Sequence, residues 1–163
     1  MASSPRTSKS QLVDRLVSEF RTSGNLDSAF DNLAADRLGV NRTDLHCLNA
    51  IENSGGLTAG QLASEAGLTT GAVTGVIDRL EWAGYARRTR DPDDRRRVKV
   101  EVTPEFYARA DKIWGPVKGD WESALIARFT AAELERIIEF LQLTNEIGRR
   151  QQDRLAELPT LSA

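Results

Sequence analysis

Cysteine, histidine and charge of one sign are all scarce in this sequence. Its 163 residues include one cysteine, Cys47, and one histidine, His46, and the formal net charge is −2. A single cysteine cannot form an internal disulfide, which excludes a small secreted domain held together by disulfides. One histidine and one cysteine supply neither a clustered metal site nor a nucleophile beside its base. We therefore expect no enzyme, no metal and no cofactor.

Long apolar runs are also missing. No run of 18 apolar residues occurs, and the first nine residues lack the apolar core of a signal peptide. We therefore expect no membrane partner and a cytoplasmic location. The length favours a single compact lobe with helical extensions, and it disfavours two full domains.

The charges that are present are distributed unevenly. Between Arg79 and Lys99 there are eight cations and four anions, an excess of four positive charges (8 − 4) within 21 residues. A basic stripe on a chain that is otherwise acidic is typical of a protein that meets phosphate through one surface.

The middle of the chain predicts three short helices that are separated by glycine-bearing turns. Asn41 and Thr58 can cap the first two, and either Thr69 or Thr70 can cap the third. Gly67 lies between the second and third helices, as in a helix-turn-helix.

A β-hairpin is predicted directly after these helices. Residues 85–89 and 98–102 are compatible with strands, and Asp91-Pro92-Asp93-Asp94 between them is a strong turn signal. Three helices followed by a hairpin describe a winged helix-turn-helix, in which the hairpin is the wing. The predicted fold class is mainly α with a small β-hairpin.

Helical periodicity continues on both sides of this core. A first helix is predicted over about 9–22, and Gly24-Asn25 leaves open whether one kinked helix or two helices reach Gly39. After Thr103-Pro104 a long helix follows, which Gly115-Pro116 should kink, and the capping box that begins at Thr130 opens a last helix. The expected division is a disordered segment 1–8, an N-terminal dimerisation helix or helices 9–39, a DNA-binding lobe 40–103 and C-terminal dimerisation helices 104–158.

Several short motifs in the middle of the chain occur together in a fixed order. They are Leu62-Ala63, Gly71-Ala72-Val73-Thr74, Asp78-Arg79-Leu80-Glu81-x-x-Gly84-Tyr85, and Asp91-Pro92-x-Asp94-x-Arg96 followed by Val102-Thr103. Through them the chain resembles the MarR (multiple antibiotic resistance regulator) family of prokaryotic transcription factors. The resemblance spans most of the chain and is carried by residues 57–104. It implies a homodimer in which the first, fifth and sixth helices intertwine, a palindromic DNA operator, and often a small ligand between the dimer lobe and the DNA reader.

The candidate DNA contacts fall on the third short helix and on the wing. A helix in the major groove reads bases through exposed residues near its N-terminal turns, and an arginine on a narrow hairpin is attracted into the minor groove. By resemblance, Asp94 orients the guanidinium of an arginine, with Arg96 as its motif partner, while Arg95 and Arg97 are suited to phosphates. The candidates are Thr69, Thr70, Ala72, Thr74 and Arg79 on the helix, and Asp94, Arg95, Arg96 and Arg97 on the wing.

The candidate effector contacts are aromatic or polar residues outside the reader. Phe30, His46, Trp114 and Trp121 could line a pocket between the lobes, although such residues more often only pack. Cys47 is expected to be buried without a basic neighbour, which disfavours a redox sensor.

Together these patterns predict a sequence-specific DNA-binding regulator. We expect a homodimeric repressor of a palindromic operator that a small ligand releases, with activation left open. The alternative is a winged-helix module that binds protein, which would expose an apolar reader face.

Overall fold

The computed structural model describes residues 8–90, 94 and 96–159. Over these residues the chain is mainly helical with one small antiparallel sheet, so the predicted fold class is confirmed. The elements in chain order are α1 (Lys9–Leu38), α2 (Arg42–Asn53), α3 (Ala59–Ala66), α4 (Thr70–Trp82), β1 (Ala86–Arg90), β2 (Val98–Val102), α5 (Pro104–Arg128) and α6 (Ala131–Ala156).

The first helix is one continuous element. Ser8 caps it by accepting from the backbone N–H of Gln11, and Gly24 lies inside it without ending it. It stops at Gly39, whose φ of 70° is the left-handed conformation that glycine adopts at helix ends. The alternative left open by Gly24-Asn25 is thus decided in favour of a single helix.

Three polar caps set the starts of the helices in the reader. The side chains of Asn41, Thr58 and Thr69 each accept from a backbone N–H three residues further on, as a capping residue does. Gly67 ends α3 with a φ of 63° and so permits the tight turn into α4. The predicted helix-turn-helix is confirmed, with Thr69 as the cap of α4.

The wing is a two-stranded antiparallel hairpin in the register Ala86↔Val102 to Arg90↔Val98. Its second strand has the predicted bounds, and its first begins one residue later than expected. Leu57 adds an isolated antiparallel bridge to Val100, with N···O distances of 3.1 and 2.7 Å. The predicted turn at residues 91–93 lies outside the described residues.

The buried core lies entirely in the middle of the described chain. Every buried residue falls between Ala34 and Phe106. The largest fully buried side chains are Tyr85, Phe106, Leu45, Leu48, Ile51, Leu62, Ile77, Leu80, Val73, Val100 and Cys47. They come from α2, α3, α4, the residue before β1, β2 and the first turn of α5, and the end of α1 adds Ala34, Ala35 and Leu38 to the same core.

The last two helices follow from polar caps as predicted. The Thr103 hydroxyl accepts from the backbone N–H of Phe106 and donates to the carbonyl of Gly84, and Thr130 forms a capping box at the start of α6. Helix α5 runs through Pro116 without interruption. The chain divides into two compact units, one up to Ile113 and one from Trp114. The domain boundaries expected from the sequence remain predictions.

Candidate nucleic-acid interface

Helix α4 has one buried face and one exposed face. Val73, Val76, Ile77 and Leu80 recur at helical spacing and are buried against the core. On the opposite side the described structure exposes the predicted DNA contacts Thr70, Ala72 and Thr74, together with Gly71 and Asp78. The exposed N-terminal half of α4 therefore carries only short side chains.

The threonines on this face differ in what their hydroxyls can still do. The Thr69 Oγ1 accepts from the backbone N–H of Ala72 at 3.3 Å, which leaves its own proton available to another acceptor. The Thr74 Oγ1 donates to the carbonyl of Thr70 at 3.0 Å, so it offers only lone pairs and a methyl group. Thr69 is thus suited to a phosphate oxygen, and Thr74 to a base amino group or a thymine methyl.

Arg79 near the end of α4 is held by a buried carboxylate. Its Nη2 and Nε donate to the two carboxylate oxygens of Asp44 at 2.6 and 3.1 Å. Asp44 is 3% exposed, whereas 53% of the Arg79 side chain is accessible. The hydrogen bond that Arg79 donates to Asp44 is the main cause of a raised pKa for Arg79. The sequence indicated Arg79 as a candidate DNA contact, but it did not indicate its partner Asp44. An acidic residue in the first turn of α2 is already explained by its favourable interaction with the helix dipole.

Asp94 organises the backbone of the wing. Its carboxylate accepts from the backbone N–H of Arg96 at 3.0 Å, and its carbonyl accepts from the N–H of Arg97 at 2.8 Å. Both bonds fix the backbone just before β2. Orientation of a guanidinium by Asp94 stays a prediction. Arg96 and Arg97 are exposed, and Arg95 lies outside the described residues.

Ion pairs neutralise the basic stripe at the base of the wing. Arg87 lies 3.4 Å from Glu101, and Arg88 bonds to Asp78 at 2.8 Å and also to Glu81. Asp78 and Glu81 raise the pKa of Arg88, and the hydrogen bond that Arg88 donates to Asp78 is the largest cause.

At the outer end of the wing the cations are not paired in this way. Within residues 8–90, 94 and 96–159, no ion pair involves Arg90, Arg96 or Arg97. Arg90, Arg96 and Arg97 are all exposed there. Arg90 was absent from the sequence-based candidates, although its place at the end of β1 next to the turn could have indicated it.

The four predicted ligand contacts fall in two different units. Phe30 on α1 is partly exposed and His46 on α2 is exposed, while Trp114 and Trp121 belong to the second unit. Trp121 lines a cavity of about 370 Å³ within that unit. In the first unit a cavity of about 470 Å³ is lined by Arg37, Leu38, Glu105, Ala108, Arg109, Lys112 and Ile113, and by none of the four.

Cys47 is buried, as predicted. Burial and then the neighbouring charge of Asp44 raise the pKa of its thiol, and Arg79 opposes them more weakly. A thiol with a raised pKa in an inaccessible place is a poor nucleophile. Arg79 is a basic neighbour that the sequence did not predict.

The described part of the chain has neither a side-chain cluster for a metal ion nor a helix that could span a membrane. It contains no group of three or more histidine, cysteine, aspartate or glutamate side chains that could hold a metal ion. None of its helices is both long enough and apolar enough to cross a membrane.

A winged helix-turn-helix with a polar reading helix and a basic wing defines a DNA-binding protein, and comparisons with known proteins agree. The model of the MarR family matches residues 40–98. An uncharacterised HTH-type transcriptional regulator of Bacillus subtilis strain 168, YcgE, is 35% identical over 154 residues, which cover 94% of this chain and 99% of that protein. The chain belongs to the MarR family of transcriptional regulators.

Solved structures show the same fold at lower identity. NadR in complex with 4-hydroxyphenylacetate has a TM-score of 0.58 and 18% identity, and covers 90% of this chain and 97% of its own. A point mutant of S. aureus MepR, bound to an oligodeoxyribonucleotide, has a TM-score of 0.53 and 18% identity, and covers 80% of this chain and 96% of its own.

Proposed function

We propose that this regulator is a homodimeric repressor that binds a palindromic DNA operator through α4 and the wing. The observation that carries the proposal is the position of the exposed cations, which remain at the end of the wing beside a reading helix with short polar side chains. The base-contact candidates are Thr70, Ala72 and Thr74. The phosphate candidates are Thr69, Arg79, Arg95 and Arg97, and Arg96 enters the minor groove beside Asp94. MepR, a protein of the same fold, is bound to an oligodeoxyribonucleotide, which supports this use of the fold.

Dimerisation is inferred from apolar side chains that a single protomer leaves exposed. On α1, Leu12, Leu16 and Phe20 are each about half exposed, at 52%, 47% and 48%. On α6, Ile138 and Leu141 are 53% and 45% exposed. Burying such side chains contributes roughly 1.5–3 kcal/mol each, so a second copy that covers them would be favoured. A dimer would also present two readers to a palindromic site.

Release by a small ligand is part of the same proposal. NadR, whose fold is shared, is seen with 4-hydroxyphenylacetate. The cavity lined by Arg37, Arg109 and Lys112 has the positive charge to attract a small anion, since Glu105, which pairs with Arg109 at 2.8 Å, offsets only one of the three cations. Phe30 and His46 in the first unit, and Trp114 and Trp121 in the second, remain separate candidates for ligand contact and do not line this cavity. We place this regulation in the cytoplasm and involve no catalytic step.

The reading face favours DNA over a protein partner. A protein-binding winged helix would expose an apolar surface, whereas the exposed N-terminal half of α4 carries threonine, glycine and alanine. Trp82 is the exception at 93% exposure, but it is the last residue of α4, away from the turns that read bases.

The proposal is tested with Arg96→Ala in a gel-shift titration against duplexes selected from genomic DNA. We expect affinity to fall roughly ten- to hundredfold, because a charge-assisted contact is lost. Arg87→Ala is the matched control, since Arg87 is on the same hairpin but is paired with Glu101, and its effect should be smaller. Circular dichroism and light scattering should show an unchanged fold and mass. Unchanged affinity of Arg96→Ala at fixed salt would refute the proposed role.

A further inference from the structure

Asp44 is a buried carboxylate with a single, well-formed cationic partner. It is 3% exposed, and both of its oxygens accept from the Arg79 guanidinium, at 2.6 and 3.1 Å. Its backbone N–H is also fixed, by the side chain of Asn41 at 2.8 Å. Removing a carboxylate from water is unfavourable unless it is paired in this two-bond geometry. Asp44 therefore fixes the orientation of Arg79 and links α2 to α4 across 35 residues of sequence.

The rest of the guanidinium remains accessible. With Nε and Nη2 directed at Asp44, Nη1 has no partner among the contacts of the described residues. The Nη1 atom of Arg79 lies beside the preceding turn of α4, 3.5 Å from the position that a Cβ at Gly75 would occupy. Arg79 also lines an open cavity of about 460 Å³ with Arg42, Leu68 and Ala72, beside the first turns of α4. An anion approaching α4 from this side would meet a guanidinium that is already oriented.

We propose that Asp44 is a positioning residue that holds Arg79 ready to contact a DNA backbone phosphate. The inference rests on the proposed function, since it needs α4 to lie against DNA. Base edges are read from the N-terminal turns of such a helix, whereas Arg79 lies near the C-terminal end of α4, where a cation meets the backbone. A guanidinium held in advance loses less side-chain entropy when the phosphate binds. This would give α4 a fixed cationic contact that complements its short, uncharged reading residues.

The competing explanation is that the pair only joins α2 to α4. The two roles separate in a variant that replaces the pair by apolar residues of similar volume, Asp44→Leu with Arg79→Met. This replacement leaves no unpaired buried carboxylate, so the stability of the double variant is expected to stay near that of the wild type. A joining role predicts that this double variant binds DNA normally once it folds. A phosphate contact by Arg79 predicts a folded protein with weakened operator binding, and Asp44→Asn, which keeps Arg79, then tests whether Asp44 positions it.

The experiment measures operator affinity of the full-length protein over a series of salt concentrations. For the double variant we expect a melting temperature near that of the wild type and affinity lower by about tenfold or more. The slope of log K against log salt should become less negative by about 1.8 for a bound dimer, as each of the two protomers loses one phosphate contact. Wild-type affinity with an unchanged slope in a folded double variant would overturn the inference.

Two single variants keep the test decisive if the double variant does not fold. Asp44→Asn leaves Arg79 charged but removes the two-bond contact to a carboxylate that orients it. We expect severalfold weaker operator binding, whereas binding to an unrelated duplex should be equal or stronger. A general loss of structure would instead weaken both. Arg79→Lys keeps the charge and loses the two-bond geometry, so operator binding should again fall. Wild-type operator affinity in either variant would contradict the inference.

The outcomes also separate this inference from the proposed function. If the wild-type protein binds no selected duplex, the proposed function itself fails. If the wild type binds and Arg96→Ala weakens binding, while the Asp44 and Arg79 variants bind as the wild type does, only the positioning role fails.

Discussion

The DNA-binding lobe and the terminal helices use similar apolar residues in opposite ways. Leu48 on α2 is 0% exposed, whereas Leu16 on α1 is 47% exposed. Both belong to helices with a regular apolar period, but only Leu48 is enclosed by other elements of its own chain. The difference indicates that the winged helix-turn-helix is completed within one protomer. The apolar faces of α1 and α6 instead remain available to another surface.

The largest effect should come from the enclosed side of this comparison. Leu48→Ala should lower the free energy of unfolding by about 2–5 kcal/mol, because it removes buried methyl groups and leaves a cavity. Leu62→Ala should behave in the same way, since Leu62 is also 0% exposed. The measurement is urea unfolding at a fixed protein concentration. A cost below about 1 kcal/mol at both positions would contradict the enclosed core, because surface substitutions fall in that range.

An intermediate effect should appear on the exposed apolar face of α1. Leu16→Glu should weaken self-association roughly tenfold or more, because each copy would place a charge on the face proposed to be buried. Ser18→Glu adds the same charge about 200° around the helix and is the matched control. Light scattering over a range of concentrations measures both. A wild-type protein that is monomeric at every concentration, or equal masses for the two variants, would break the comparison.

The smallest effect should concern the start of α6. Hydrogen bonds from the backbone N–H of Thr130, and then from its hydroxyl, lower the pKa of Glu133 below its ordinary value. Because the folded-state pKa is the lower one, this contact stabilises the protein above the pKa of the unfolded chain. The stabilisation is lost as the pH falls through the folded-state pKa.

The melting temperature of Glu133→Gln should therefore differ slightly from that of the wild type at neutral pH. The difference should shrink as the pH falls below the ordinary pKa of a glutamate, about 4.3. Thermal melts followed by circular dichroism at several pH values make the comparison. An equal difference between the two proteins at all pH values would show that ionisation of Glu133 has no part in the cap.

The fold could be predicted from the sequence where local chemistry decides it. Asn41, Thr58 and Thr130 each bond to a backbone N–H three residues away, so the start of a helix is encoded within four residues. Local chemistry at Gly24 does not decide whether α1 is one helix or two. A glycine inside a helix costs only about 1 kcal/mol, which the rest of α1 can offset, so the sequence alone left two possibilities.

The residues of the candidate site were largely predictable from the sequence, whereas the ion pairs that its arginines form were not. The exposed threonines of α4 and the cations of the wing follow from periodicity and from the order of elements. The pairing of Arg79 with Asp44 does not, because the partners lie 35 residues apart and meet only when α2 packs beside α4. The same holds for Arg87, whose partner Glu101 comes from the opposite strand.

The sequence by itself determined the order of helices and hairpin, the caps and turns that bound them, and the presence of a basic segment. Those features depend on hydrogen bonds and conformational preferences within a few residues. Only the tertiary structure decided that Arg79, Arg87 and Arg88 are paired with carboxylates. An ion pair depends on distances of a few ångströms between side chains, and packing sets those distances for residues that are far apart in the chain.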